Sequence, residues 1–126
     1  MKKTVMVVDD SPDILFSVKN GLEEADKNLD VITAKSGEDC LQILANKNVM
    51  PDAILLDIMM PNMSGWETYD RIKENGKWEN IPIVFLTART DNVAKNAGSF
   101  LGEDFIEKPF EINELKKRLE RFFKNK

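Results

Sequence analysis

Five side chains of this sequence stand where short apolar runs end, and their types are those of metal and phosphorus chemistry. Asp9-Asp10 end the run that starts at Thr4, Asp57 ends a third run, Thr87 a fourth, and Lys108-Pro109 follow a fifth. Carboxylates gathered at one edge repel one another, and either proton uptake or a divalent cation relieves the repulsion. All-oxygen donors favour a hard ion, and without an EF-hand loop to build a calcium cage the ion expected is Mg²⁺. A carboxylate beside Mg²⁺ can act as a nucleophile toward phosphorus, a transfer that chiefly needs positioning and neutralisation of the equatorial oxygens. Lys108 can pair with one such oxygen as a point charge, and Thr87 can donate a hydrogen bond to another. Asp57 is the candidate nucleophile because it stands alone on a central strand, ahead of a Met-Met-Pro-Asn-Met-Ser-Gly loop.

Elements of two kinds must bring these residues together. Thr4 to Val8, Leu29 to Ala34, Ala53 to Leu56, Ile81 to Leu86 and Asp104 to Ile106 read as strands. Pro12 to Glu24, Glu38 to Lys47, Trp66 to Asn75, Asp91 to Phe100 and Glu111 to Lys124 have helical period. Ser11 before Pro12, and Ser36 before Gly37-Glu38-Asp39, carry helix start signals, while Gly76 and Gly102 sit where helices should stop. The pattern is (βα)5. Unbroken apolar strands are buried on both faces, so the sheet is parallel with helices on each side, and right-handed crossovers make it doubly wound. In such sheets the ligand site lies beyond the carboxyl ends of the strands at the topological switch point, where the five side chains gather.

Composition narrows the function classes. With 126 residues and no Pro/Ser-rich linker, the chain (1–126) reads as a single domain. At 42% hydrophobic and 32% interspersed charge it can form a core. No histidine is present, which removes Ser-His-Asp and Cys-His catalysis and most zinc sites, and a single cysteine, Cys40, removes a disulfide framework. Cys40 reads as a structural thiol, and Trp66 and Trp78 as packing at loop edges. A net charge of -4 speaks against a direct nucleic-acid partner, and the basic stretch from Lys116 to Lys126 reads as the solvated face of an amphipathic last helix. No apolar run reaches the ~18 residues of a membrane span, so a cytoplasmic protein is expected.

The stretches VMVVDDSPDI, AILLDIMMPNMSGWE, IPIVFLTA and DFIEKPF resemble, in order and spacing, the signature segments of a response regulator receiver domain of two-component signalling. The resemblance covers essentially the whole chain. It implies a flavodoxin-like α/β fold, a five-stranded parallel sheet of order 2-1-3-4-5, here apparently standing alone. It also implies that Asp57 is the phosphorylated aspartate, Asp10 a direct Mg²⁺ ligand, Asp9 a ligand acting mainly through metal-bound water, and Met59 a ligand through its backbone carbonyl. Thr87 resembles the switch hydroxyl, Phe105 the switch aromatic and Lys108 the family's lysine, with Lys108-Pro109 cis. Met59 and Arg89 then flank the route of the water that removes the phosphoryl group. The implied phosphodonor is a histidine kinase or histidine phosphotransfer protein. The implied product is a changed surface for an unidentified output protein or a phosphorylation-dependent dimer, from a chain that is no enzyme beyond assisting its own phosphorylation and dephosphorylation.

Singly, each residue has a plainer reading: an acidic helix start for Asp9-Asp10, a turn residue for Asp57, a strand end for Thr87, a solvated cation for Lys108. Their joint placement favours the chemical reading. The alternative function is a Mg²⁺-dependent phosphohydrolase that also passes through an aspartyl-phosphate. It would want a carboxylate two residues after the nucleophile, where Met59 stands. A flavin module would be repelled by Asp9-Asp10, and a degenerate scaffold would not keep Asp57, Thr87 and Lys108 together. Helical phase puts Ile14, Val18, Gly21, Leu22 and Ala25 on the sheet side of the first helix. Phe16 then faces outward with Leu15 at the border, so that Ile14, Leu15 and Phe16 form a candidate docking patch beside the acidic edge.

Overall fold

A computed structural model describes residues 2–46, 49–88 and 104–124. Five strands and four helices follow in the order β1 (Lys3–Val8), α1 (Pro12–Ala25), β2 (Leu29–Ala34), α2 (Gly37–Asn46), β3 (Ala53–Asp57), α3 (Gly65–Glu74), β4 (Ile83–Ala88), β5 (Asp104–Lys108) and α4 (Ile112–Lys124). All pairings are parallel, in the order β2-β1-β3-β4-β5. The fold class and strand order implied by the sequence are those observed. The predicted helix Asp91 to Phe100, the stop at Gly102 and residue Arg89 lie outside the described residues.

The strands divide their side chains between two cores. Val5, Val7, Leu55, Val84, Leu86 and Ile106 meet Val18 and Leu22 of α1 and Leu115 and Leu119 of α4. Met6, Val8, Ile54, Leu56, Ile83 and Phe85 meet Cys40, Ile43 and Leu44 of α2 and Tyr69 and Ile72 of α3. Central-strand residues such as Leu55 and Leu56 are fully buried. At about 1.5–3 kcal/mol for each large side chain removed from water, these two layers hold β1, β3 and β4 rigid at the centre of the sheet.

Helix starts follow the sequence signals. Ser11 caps α1 by accepting from the Ile14 amide at 3.4 Å, and Ser36 Oγ accepts from the Asp39 amide at 3.0 Å. Ser64, not singled out from sequence, caps α3 through the Glu67 amide at 3.2 Å. Three expectations need correction. Strand β4 starts at Ile83 rather than Ile81, because the Ile81 amide closes a turn onto the Trp78 carbonyl at 3.0 Å and Pro82 has no N–H to give a ladder. Ala25, placed by phase on the buried side of α1, is exposed as the helix's last residue, before the Asp26 cap. Trp66 lies within α3 rather than at a loop edge, its ring 4.8 Å from that of Phe85.

Gly65 opens α3 where the chain passes directly behind β3: its amide donates to the Ile58 carbonyl at 2.8 Å. A Cβ there would run into the Asp57 carbonyl oxygen and lie 2.6 Å from Ile58 Cα, both backbone atoms that cannot swing away. Gly65→Ala is expected to lower unfolding stability by about 1–3 kcal/mol or more, read as a lower urea midpoint. An unchanged midpoint would refute this close approach.

Candidate functional site

The strand ends deliver the acidic groups from different depths. Asp9 follows β1, and its amide still donates to Ala34 O at 3.1 Å, so the residue stays in the sheet and is 1% exposed. One carboxylate oxygen of Asp9 accepts from the Ser11 amide at 2.9 Å, the other from Lys108 Nζ at 2.9 Å. Asp57 is the last residue of β3, opposite Leu86, and is 4% exposed. Asp10 is exposed, yet offers a carboxylate oxygen to the same spot: Asp9, Asp10 and Asp57 have oxygens all within 4.8 Å of one another. Lys108 closes β5, across the sheet from β1, and reaches both Asp9 and Asp57, the latter at 3.2 Å. The Lys108-Pro109 bond is cis.

Charge is unbalanced in this corner. Two like charges ~4 Å apart repel by about 4 kcal/mol at an effective dielectric of ~20, and among the described residues three carboxylates face one ammonium. Burial, reinforced by Asp9 and more weakly Asp10, and opposed by Lys108, pushes the Asp57 carboxyl from its ordinary 3.8 up to about 6. For Lys108 burial works against the charged form. The hydrogen bond to Asp9 and the fields of Asp57 and Asp9 outweigh it, so its pKa rises above the ordinary 10.5 and the ammonium persists at neutral pH. The donor set is hard, all-oxygen and over-charged, which fits a divalent cation of the Mg²⁺ kind.

The loop between β3 and α3 runs from Ile58 to Ser64. Asn62, after Pro61, has φ 69°, a left-handed value that asparagine tolerates, and the pair forms a tight corner. Met60 turns inward at 8% exposed, and Met59 turns outward at 68%. A thioether has no proton to give or take near pH 7, so the position where the phosphohydrolase reading needs an acid-base group holds none. Thr87 is the penultimate residue of β4, in register with Glu107; its side chain lies outside the described residues. Phe105 is half-buried against the α2–α3 core, in register with Phe85. Phe16 is 70% exposed, as helical phase requires, while Ile14 and Leu15 pack partly on the core. Ile14, with Asp13, Ser17 and Val18, lines a groove of about 470 Å³ between α1 and Lys108-Pro109-Phe110. The Ser11 amide, which orients Asp9, was not singled out from sequence; the cap at Ser11 gives its position, but no side-chain pattern encodes a backbone contact.

The family model described as the response regulator receiver domain matches residues 5–120. A probable cyclic di-GMP phosphodiesterase of Vibrio cholerae is 39% identical over 98% of this chain, which spans 27% of that relative's length. Protein PilG of Pseudomonas aeruginosa is 36% identical over 88% of this chain and 80% of its own. The solved structure of chemotaxis protein CheY4 of Vibrio cholerae superposes with a TM-score of 0.84 at 30% identity, covering 97% of this chain and 99% of the other.

The raised Asp57 pKa has a thermodynamic sign. Between 3.8 and about 6 the folded protein holds a proton that the unfolded chain releases, so the stabilisation is complete below 3.8 and lost as pH rises through 6. In EDTA, Asp57→Asn should therefore be more stable than the parent at pH 7.5, by up to about 3 kcal/mol, and the gap should shrink toward pH 4. Urea unfolding of both proteins across that range checks it; a gap independent of pH would mean that Asp57 is not held at a raised pKa.

Proposed function

The chain belongs to the response regulator receiver domain family, and from that premise we propose that Asp57 accepts a phosphoryl group from a histidine kinase or a histidine phosphotransfer protein. The observation that carries this reading is one buried carboxylate, Asp57, hydrogen-bonded to Lys108 and sharing its corner with Asp9 and Asp10. An Asp57 carboxylate oxygen attacks phosphorus, the bond between phosphorus and the donor imidazole nitrogen breaks, and the electron pair stays on the imidazole. Asp10, Asp9 and Asp57, with the backbone carbonyl of Met59, would hold Mg²⁺, which when bound supplies positive charge against a phosphoryl oxygen. Lys108 favours the ionised form of Asp57, opposing the rise that burial and Asp9 cause, and is within reach of the transferred group. Thr87 takes the role of the switch hydroxyl and Phe105 that of the switch aromatic, changing the surface read by an output partner. Met59 offers no hydrogen bond to orient an attacking water, which favours a long-lived phosphoryl group.

Mass spectrometry after incubation with Mg²⁺ and acetyl phosphate tests the assignment. One phosphoryl group is expected on the parent and none on Asp57→Ala, with Asp10→Ala weakening Mg²⁺ binding by tenfold or more, the loss of about 1.4 kcal/mol. Phosphate uptake unchanged in Asp57→Ala would remove the central claim.

For the donor, we propose docking on the α1 end of the site. Ile14 lines the apolar groove that Lys108 borders, Phe16 is exposed on the same helix with Leu15 between them in sequence, and a helical partner that engaged this end of α1 would bring its phosphohistidine toward Asp57. Phe16→Ala is expected to leave labelling by acetyl phosphate intact while slowing transfer from the cognate kinase by about tenfold. Equal slowing with both donors would indicate a folding defect, and no slowing with either would rule out Phe16 as a docking residue.

A further inference from the structure

The sheet ends in two edge strands, β2 and β5, and an edge strand offers its outward N–H and C=O groups to any strand that approaches. On β2 the even positions face β1: the Asn28 carbonyl accepts from the Lys3 amide at 2.8 Å and the Ala34 carbonyl from the Asp9 amide at 3.1 Å. The odd positions therefore face outward. The strand itself, Leu-Asp-Val-Ile-Thr-Ala, does little to guard that edge. It has no proline and no cation, its one charge, Asp30, pairs with Lys2 at 3.4 Å, and Val31, Ile32 and Thr33 are consecutive β-branched residues.

Protection comes from another element. Lys19 Nζ donates to the Val31 carbonyl at 2.8 Å, Glu23 Oε2 accepts from the Val31 amide at 2.9 Å, and the two side chains pair with each other at 3.0 Å. Together they present one donor and one acceptor, as a neighbouring strand would. The Val31 amide first, then Lys19, hold the Glu23 carboxyl below its usual range. Toward the ends of the strand, the Leu29 amide donates to the Asp26 carbonyl at 3.1 Å and the Lys35 amide to Asp39 Oδ2 at 3.1 Å.

We propose that the Lys19–Glu23 pair is an autoinhibitory clip, occupying the centre of the β2 edge and keeping a second copy of this chain from adding its own β2 there. A second copy is the occupant because the pairing is self-complementary. In an antiparallel pair centred on Val31, the two Val31 residues exchange N–H and C=O, Leu29 opposes Thr33, and Asp30 opposes Ile32, so no like charges meet. As a bare surface ion pair spaced four residues apart on a helix, Lys19–Glu23 would contribute little. Its hydrogen-bond polarity is the feature that closes the edge.

Polarity is also what an experiment can reverse. Lys19→Glu combined with Glu23→Lys keeps the ion pair and the net charge but turns a carboxylate toward the Val31 carbonyl and an ammonium toward its amide. In dilute solution the Val31 amide of this variant should exchange with deuterium about tenfold faster than in the parent, the loss of one ordinary hydrogen bond. Sedimentation velocity should show a dimer that grows with concentration. Lys19→Arg combined with Glu23→Gln, which keeps donor and acceptor in place, should behave like the parent in both measurements. A reversed variant that stays monomeric overturns the proposal, whatever its exchange rate. So does a parent protein whose Val31 amide exchanges as fast as an exposed loop amide, a reading that depends on no variant folding.

Discussion

Three carboxylates crowd one rim of a sheet whose interior is apolar, and among the described residues a single ammonium answers them. Lys108 donates to Asp9 and Asp57 together, at 2.9 and 3.2 Å, from the far side of the sheet, so the position of β5 is tied to the charge state of β1 and β3. One positive charge cannot balance three negative ones at these separations. Burial raises the cost of each remaining charge, and Asp57 responds by holding its proton up to about pH 6. A divalent cation is the other way to settle the imbalance, and an added phosphoryl group increases the demand for one. Metal binding, ionisation of Asp57 and phosphoryl chemistry are thus aspects of one electrostatic problem.

The fold keeps that problem in place by making everything beneath the rim incompressible. β1 and β3 are buried on both faces, and their apolar side chains alternate between the α1–α4 core and the α2–α3 core. A strand clamped in this way can end in a polar residue without yielding its position. Asp9 stays in register because its amide still bonds β2, and Asp57 because Gly65 packs against its backbone from behind. A side chain at Gly65 would push on Asp57, the proposed phosphoryl acceptor, so a glycine beginning α3 serves the candidate site as much as the helix.

Sequence made the site legible because its residues are chemically unusual where they stand: Asp9, Asp10, Asp57 and Lys108 interrupt or follow apolar runs, and a parallel sheet collects such interruptions on one edge. Periodicity likewise exposed Phe16. Strand β4 starts later than the apolar run at Ile81 suggests because an apolar residue in a turn looks like one in a strand; the Trp78 turn distinguishes them, and Pro82, which lacks an N–H, is the signal in the sequence. Ala25 was misplaced because phase says which way a residue points but not where the helix ends. The contacts of Lys19 and Glu23 with Val31 were invisible for a different reason. They join a side chain to a backbone group that every residue possesses, so no residue type announces them.

Whether this rim can act as a switch depends on magnitudes. Driving a two-state equilibrium from 1:99 to 99:1 needs about 5.5 kcal/mol of differential binding, and charge-assisted hydrogen bonds contribute about 1.5–3 kcal/mol each. A phosphoryl group on Asp57 would need about two to four bonds present in one state and absent in the other. Lys108 accounts for at most one of them, since it already bonds Asp57. The remainder would be shared between a bound divalent cation and donors that move toward the phosphoryl group, and the proposed role of Thr87, on β4 next to β3, is to be one of those donors. The proposed partner of that movement is Phe105, on the neighbouring strand and in register with Phe85 of β4. Phe105 is half-buried against the α2–α3 core, so an inward turn would remove further apolar ring surface from water and add to the bias that the phosphoryl contacts supply.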